Sequence, residues 1–189
     1  MPLLRDDIDT DQIMPKQFLT RVERTGYGDF VFHTWRQDPA FVFHDARFRG
    51  ANILLTGRNF GSGSSREHAV WGLQQHGFDA ILAPSFSDIF VGNCVQSGLV
   101  PAVMAEDACI RLDDVIQREP STELVLDLDQ QTVSYGRSVE SFEIDAYTRQ
   151  ALMLGLDDVS LILRREATLA AYELNRPAWV PQVALDSEA

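Results

Sequence analysis

The chain has 189 residues, a formal net charge of −12, 45% hydrophobic residues and 23% charged residues. That is an ordinary globular composition, with enough chain to bury a core in one domain over residues 1–189. The acidic balance excludes nucleic acid and anionic membrane surfaces as principal ligands, and no apolar run approaches the roughly 20 residues that cross a bilayer.

In chain order, Pro2 to Arg5 suits a short strand and Asp6 to Asp11 an acidic loop. Pro15 fits the first position of a short helix ending at Leu19. Thr20 to Gly28, with Arg21 and Arg24, reads as a long surface loop. Aromatics crowd Tyr27 to Phe48, including Phe30, Phe32, Trp35, Phe41 and Phe43. With few alternating polar partners, they suit a segment that covers a core or contacts another subunit. The pattern then alternates: strand Ala51–Thr56 and helix Ser65–His76, strand Asp79–Ala83 and helix Phe86–Ser97, strand Leu99–Met104 and helix Ala108–Glu119. This is the rhythm of a parallel layer covered by helices, an α/β fold. Glu123–Asp129, Thr132–Tyr135 and Val139–Ile144 follow as short strands. The Gly136-Arg137-Ser138 turn makes the last two a hairpin, so a small antiparallel ribbon joins the parallel layer. Helices are predicted over Ala146–Leu154, Asp158–Arg164 and Ala167–Leu174. Pro177 ends the last of them, and a polar tail begins at Asp186.

The chemistry concentrates at Asn59 to Ala69, Asn-Phe-Gly-Ser-Gly-Ser-Ser-Arg-Glu-His-Ala. A strand feeds this loop and a helix leaves it. Ser64 and Glu67 have capping-box spacing, which predicts Ser64 as the helix N-cap. The free N–H groups of a helix start, its partial positive charge and the Arg66 guanidinium favour a small anion, and Gly61 and Gly63 let backbone approach it. The loop is neither a Walker loop, which needs Gly-Lys-Ser/Thr, nor a dinucleotide fingerprint, because Arg66 stands where the third glycine belongs. An Arg at the start of a helix opposes the dipole, a local cost that points to function. His68 reads as a supporting histidine. The two cysteines, Cys94 and Cys109, suggest neither a disulfide framework nor a metal site. They suit reduced buried thiols, and no apolar signal-peptide core occurs near Met1, so a cytoplasmic location is expected.

The loop resembles the mobile-domain signature of the aconitase superfamily, whose core is Gly-Ser-Ser-Arg-Glu-His. Asp9-Thr10-Asp11-Gln12-Ile13-Met14-Pro15-Lys16-Gln17-Phe18-Leu19 is similar to the N-terminal signature of the small subunit of bacterial 3-isopropylmalate dehydratases. Ala83-Pro84-Ser85-Phe86-Ser87-Asp88-Ile89-Phe90 and Gly98-Leu99-Val100-Pro101 agree with the next block, and Phe142-Glu143-Ile144-Asp145 and Gly155-Leu156-Asp157-Asp158 with the C-terminal ones. The resemblance covers nearly the whole chain. Departures are Ser62, where most relatives carry Cys, and Val70, where they carry Pro.

The resemblance implies a swivelling β/β/α domain and a hydro-lyase subunit that isomerises 2- and 3-isopropylmalate by dehydration and rehydration in leucine biosynthesis. It implies Ser64 as the base, Arg66 as the carboxylate clamp and Asp11 at the site's edge. Ser65, Gly63 and Arg24 are the expected substrate contacts, and Phe18 to Tyr27 the segment that reads the alkyl group. The family's Lewis acid is a [4Fe–4S] cluster. Two thiols are too few to hold one, so the cluster is expected in a separate large subunit, the heterodimer partner. Related hydro-lyases acting on citramalate, dimethylmalate or homoaconitate, and a non-catalytic carboxylate-binding module, are the alternatives.

Overall fold

The computed structural model describes residues 1–20, 23–155, 158–163, 165–177 and 179. Their contacts form two compact units, Met1–Gly155 and Leu156–Ala189. The first is built on one seven-stranded sheet, β1 (Pro2–Leu3), β2 (Ile53–Thr56), β3 (Ala80–Ala83), β4 (Val100–Met104), β5 (Leu124–Asp127), β6 (Thr132–Tyr135) and β7 (Ser138–Glu143), in the order β1-β2-β3-β4-β7-β6-β5. Strands β1 to β4 are parallel, and β7, β6 and β5 continue the sheet antiparallel. The parallel layer and ribbon expected from the sequence are both present and form one sheet.

Helices α1 (Thr10–Ile13), α2 (Glu67–His76), α3 (Asp88–Ser97), α4 (Glu106–Arg118) and α5 (Ala146–Leu154) complete this unit. The central strands are buried on both faces, and alternation along them feeds two cores. Leu54 and Ile81 enter one core with α2, α3 and the aromatic segment; Leu55 and Leu82 enter the other with α4 and the ribbon. Helix α4 buries Ala108, Cys109, Leu112 and Ile116, the one-sided spacing of an amphipathic helix. Residues 27–48 fold as successive 3-10 turns whose Tyr27, Phe32 and Phe41 are buried in the first core. The segment is the core cover that its composition predicts.

Several local expectations change. The first strand ends at Leu3. The acidic loop stops at Asp9, which caps α1, and Pro15 precedes a 3-10 turn at Lys16–Phe18 in place of an α-helix. Arg21, Leu156, Asp157, Arg164 and the tail from Asp186 lie outside the described residues. In the second unit, α6 (Asp158–Leu163) and α7 (Glu166–Leu174) stand where helices are predicted. Among the described residues, no helix is long and apolar enough to cross a membrane.

Candidate active site

Strand β2 ends at Thr56, and the chain runs through a loop to α2. Two glycines shape it. Gly61 has φ +75°, and a Cβ there would lie 2.3 Å from the Phe90 ring of α3. Backbone therefore packs directly on an aromatic ring, a contact that only glycine permits. Gly63, at φ +91°, turns the chain back toward α2.

The N-terminal segment holds the loop from the other side. The Gly61 N–H donates to the Ile8 carbonyl at 2.8 Å, and the Thr10 N–H to the Ser62 carbonyl at 2.9 Å. Asp9 and Ser62 form an isolated parallel bridge, and Thr10 Oγ1 donates to the Ser64 carbonyl at 2.8 Å. Helix α1 is fixed by its own capping box: Asp9 Oδ1 accepts from the Gln12 N–H at 2.7 Å, and Gln12 Oε1 accepts from the Asp9 N–H at 2.9 Å. This short helix presents Asp11 to the loop, where its carboxylate pairs with the Arg66 guanidinium. The Met14 carbonyl lies 3.4 Å from Arg66 Nη1.

Arg66 is 8% exposed, whereas the Asp11 side chain is 44% exposed. An uncompensated buried guanidinium costs several kcal/mol. Asp11 supplies the counter-charge while keeping one side of the pair open to water. A guanidinium has five N–H donors, and here Nη1 serves both Asp11 and the Met14 carbonyl.

The structure corrects the predicted cap. Helix α2 begins at Glu67, its N-cap is Arg66 at φ −140° and ψ 106°, and no side chain caps it. The reason is tertiary: Thr10 engages the Ser64 carbonyl, and Gly63 turns the chain outside helical geometry. Ser64 and Ser65 are therefore exposed, with their hydroxyls released from capping. The Glu67 and His68 N–H groups have no backbone acceptor among the described residues, which leaves the positive end of α2 open beside the serines.

Asp11, Gly63, Ser64, Ser65 and Arg66 thus come together. Arg24 is fastened elsewhere. Its guanidinium lies 5.5 Å from the Trp71 ring centroid, and its carbonyl accepts from Gln75 Nε2 at 2.9 Å. Gln75 Oε1 also accepts from the Tyr27 N–H, and the His68 ring sits against Tyr27 and Trp71. An Arg–Trp–His–Tyr group therefore lines α2 just past the serine loop.

The thiols are unsuited to a metal cluster. Cys94 and Cys109 belong to different cores. Burial pushes the Cys94 thiol well above its ordinary pKa and, with Glu106 and Asp107 nearby, the Cys109 thiol to about 11. Cluster ligands are thiolates, and two buried thiols in separate cores cannot together supply the three or more that a cluster needs. Among the described residues, no group of three or more His, Cys, Asp and Glu could hold a metal ion.

The family model for the aconitase C-terminal domain matches residues 1–107, which include the whole loop and the segment that braces it. A 3-isopropylmalate dehydratase small subunit from Parafrankia sp. (strain EAN1pec) is 49% identical over 184 residues, covering 97% of this chain and 94% of that protein. The chain belongs to the 3-isopropylmalate dehydratase small-subunit family. Another member, from Acidothermus cellulolyticus, is 48% identical over 181 residues, 96% of this chain and 92% of its own. Among solved structures, a 3-isopropylmalate dehydratase from Methanocaldococcus jannaschii superimposes with a TM-score of 0.64 at 25% identity, covering 90% of this chain and 95% of that one. Membership in this dehydratase family makes the chain a hydro-lyase subunit, and relatives named as small subunits imply a larger partner. Within that family frame, two residues missed by sequence reasoning stand out, Thr10 and Gln12. Gln12 was legible, since Asp9 and Gln12 have capping-box spacing. Thr10 was not, because its acceptor is remote in sequence.

Proposed function

We propose that the chain, acting as one domain, completes a composite active site with a cluster-bearing large subunit. That site interconverts 2- and 3-isopropylmalate in cytoplasmic leucine biosynthesis. Ser64 Oγ takes the proton from the carbon beside a substrate carboxylate, water leaves, and both return with the opposite placement. Arg66 forks a substrate carboxylate, Asp11 holds Arg66 in register, and Ser65 and Gly63 border the same oxygens. Arg24, whose guanidinium lies 5.5 Å from the Trp71 ring centroid, is a further substrate contact, and the Phe18 to Tyr27 segment, of which residues 21 and 22 lie outside the described residues, reads the alkyl group. The [4Fe–4S] cluster implied by family resemblance belongs to the partner, and no step by this chain runs through it.

One observation carries the reading: a guanidinium buried against Asp11 stands in the same loop as two exposed serine hydroxyls. A serine is a poor base unless its alkoxide is stabilised. The open N–H groups of Glu67 and His68 and the charge of Arg66 supply that stabilisation. Removal of a carbon-bound proton by a positioned base contributes about 10²- to 10⁴-fold in rate.

The test is anaerobic reconstitution. The chain alone is expected to show no turnover of 3-isopropylmalate, and the chain mixed with its large subunit to show turnover. Replacing Arg66 by Lys is expected to raise KM about tenfold, because a fork becomes a point charge. Turnover by the isolated chain, or micromolar binding of isopropylmalate to it with no turnover on adding the partner, overturns the composite site.

A further inference from the structure

We infer that Thr10 is a positioning residue that sets where the Ser64 hydroxyl stands, by stapling the Ser62–Gly63 and Ser64–Ser65 peptides, which bracket Gly63 and Ser64. Thr10 donates twice into the loop, through its N–H to the Ser62 carbonyl at 2.9 Å and through Oγ1 to the Ser64 carbonyl at 2.8 Å. The two acceptors straddle Gly63. That residue has φ +91°, and the nearest atoms a Cβ there would meet are Asp9 Cβ and Thr10 Oγ1, both at 3.5 Å. A glycine between two serines is the softest link in the loop, and Thr10 frames it from one side.

Nothing in α2 does this work. The helix starts at Glu67, Ser64 lies outside it, and no side-chain cap ties the serine to the helix. Ser64 is exposed, so packing does not hold its side chain either. Thr10 is 2% exposed. As the first residue of α1, it has no preceding helical turn whose carbonyl could take its hydroxyl, so the donor is available to a remote acceptor. Its branched β-carbon limits χ1, which fixes the direction of that donor. The next residue, Asp11, holds Arg66. Consecutive residues of one short helix, itself fixed by the Asp9–Gln12 box, therefore brace the base and the clamp together.

This inference rests on Ser64 being the base, and the experiment separates the two. Thr10→Val, Thr10→Ser, Ser64→Ala and the Thr10→Val/Ser64→Ala double variant are each assembled with the large subunit, confirmed by size, and assayed for kcat and KM. Misplacement of a reacting group by about 1 Å costs on the order of 100-fold. Thr10→Val is accordingly expected to lower kcat by about 10- to 100-fold with KM within about threefold, and Thr10→Ser to retain most of the rate. In the Ser64→Ala background, Thr10→Val is expected to change nothing further. If Thr10→Val does not assemble, Thr10→Cys, similar in size and a weaker donor, carries the same expectation. A Thr10→Val enzyme with wild-type kcat beside an inactive Ser64→Ala overturns the positioning role alone. So does an equal loss from Thr10→Val in both backgrounds, which marks a structural effect. A fully active Ser64→Ala overturns the base, and the positioning role with it.

Discussion

The serine loop and the β5–β7 ribbon solve the same problem, satisfying backbone groups at the end of a sheet, in opposite ways. In the ribbon, β6 and β7 pair from Thr132↔Ser141 to Tyr135↔Ser138 around a two-residue turn, and β5 pairs with β6 across a short loop. Its partners are neighbours in sequence. In the serine loop, the Gly61 N–H and the Ser62 and Ser64 carbonyls find partners in Ile8 and Thr10, more than fifty residues away. Local pairing gives a regular element with little surface to spare for chemistry. Remote bracing holds an irregular loop open, so that Ser64 and Ser65 face solvent while Arg66 stays buried.

Breaking the brace should therefore damage function, and breaking the ribbon should damage only stability. The largest effect is expected from Gly61→Ala. The new Cβ meets the Phe90 ring at 2.3 Å, at a positive φ; a stability loss of about 3 kcal/mol, read by chemical denaturation, should accompany lost turnover. Asp11→Asn leaves Arg66 without its counter-charge. Because Asp11 is half exposed, the expectation is a modest loss of stability, with kcat/KM down about 100-fold, or about 2.7 kcal/mol. Val133→Ala empties part of the ribbon's core, where Val133 is fully buried. It should cost about 2 kcal/mol in denaturation and leave kcat of the assembled enzyme unchanged; a fall in kcat would erase the contrast between the regions.

The smallest effect concerns His76, whose pKa is lowered, first by burial, although its Nδ1 meets the Gly28 carbonyl at 3.2 Å. A histidine lowered on folding binds fewer protons than in the unfolded chain. Its contribution to stability is thus full above the ordinary histidine pKa and is lost as pH falls through the lowered value. His76→Asn should flatten the fall of Tm with acid over that window; an unchanged slope would show that other groups set it.

The same contrast explains what the sequence disclosed. Alternating strands and helices, the Gly136-Arg137 hairpin and the buried face of α4 are short-range patterns, and each stands where its periodicity predicts. The loop chemistry was legible as a string of residue types, including Arg66 as a charge misplaced for its helix. The error at Ser64 has the same origin. Capping-box spacing is a local signal, and it yielded to the Thr10 hydrogen bond and the Gly63 turn, neither of which has a periodic signature. The true capping box, Asp9–Gln12, begins inside a stretch, Asp6 to Asp11, that reads as an acidic loop. Asp11 could be nominated by resemblance, but its pairing with Arg66 needed the fold.

The most direct measurement is turnover of 3-isopropylmalate by the assembled enzyme carrying Ser64→Ala, alongside exchange of the substrate's carbon-bound proton with deuterated solvent. A serine base predicts that both fall together by about 10³-fold while KM moves little. Turnover and exchange within a few-fold of the unsubstituted enzyme would contradict it and leave Ser64 as loop backbone alone.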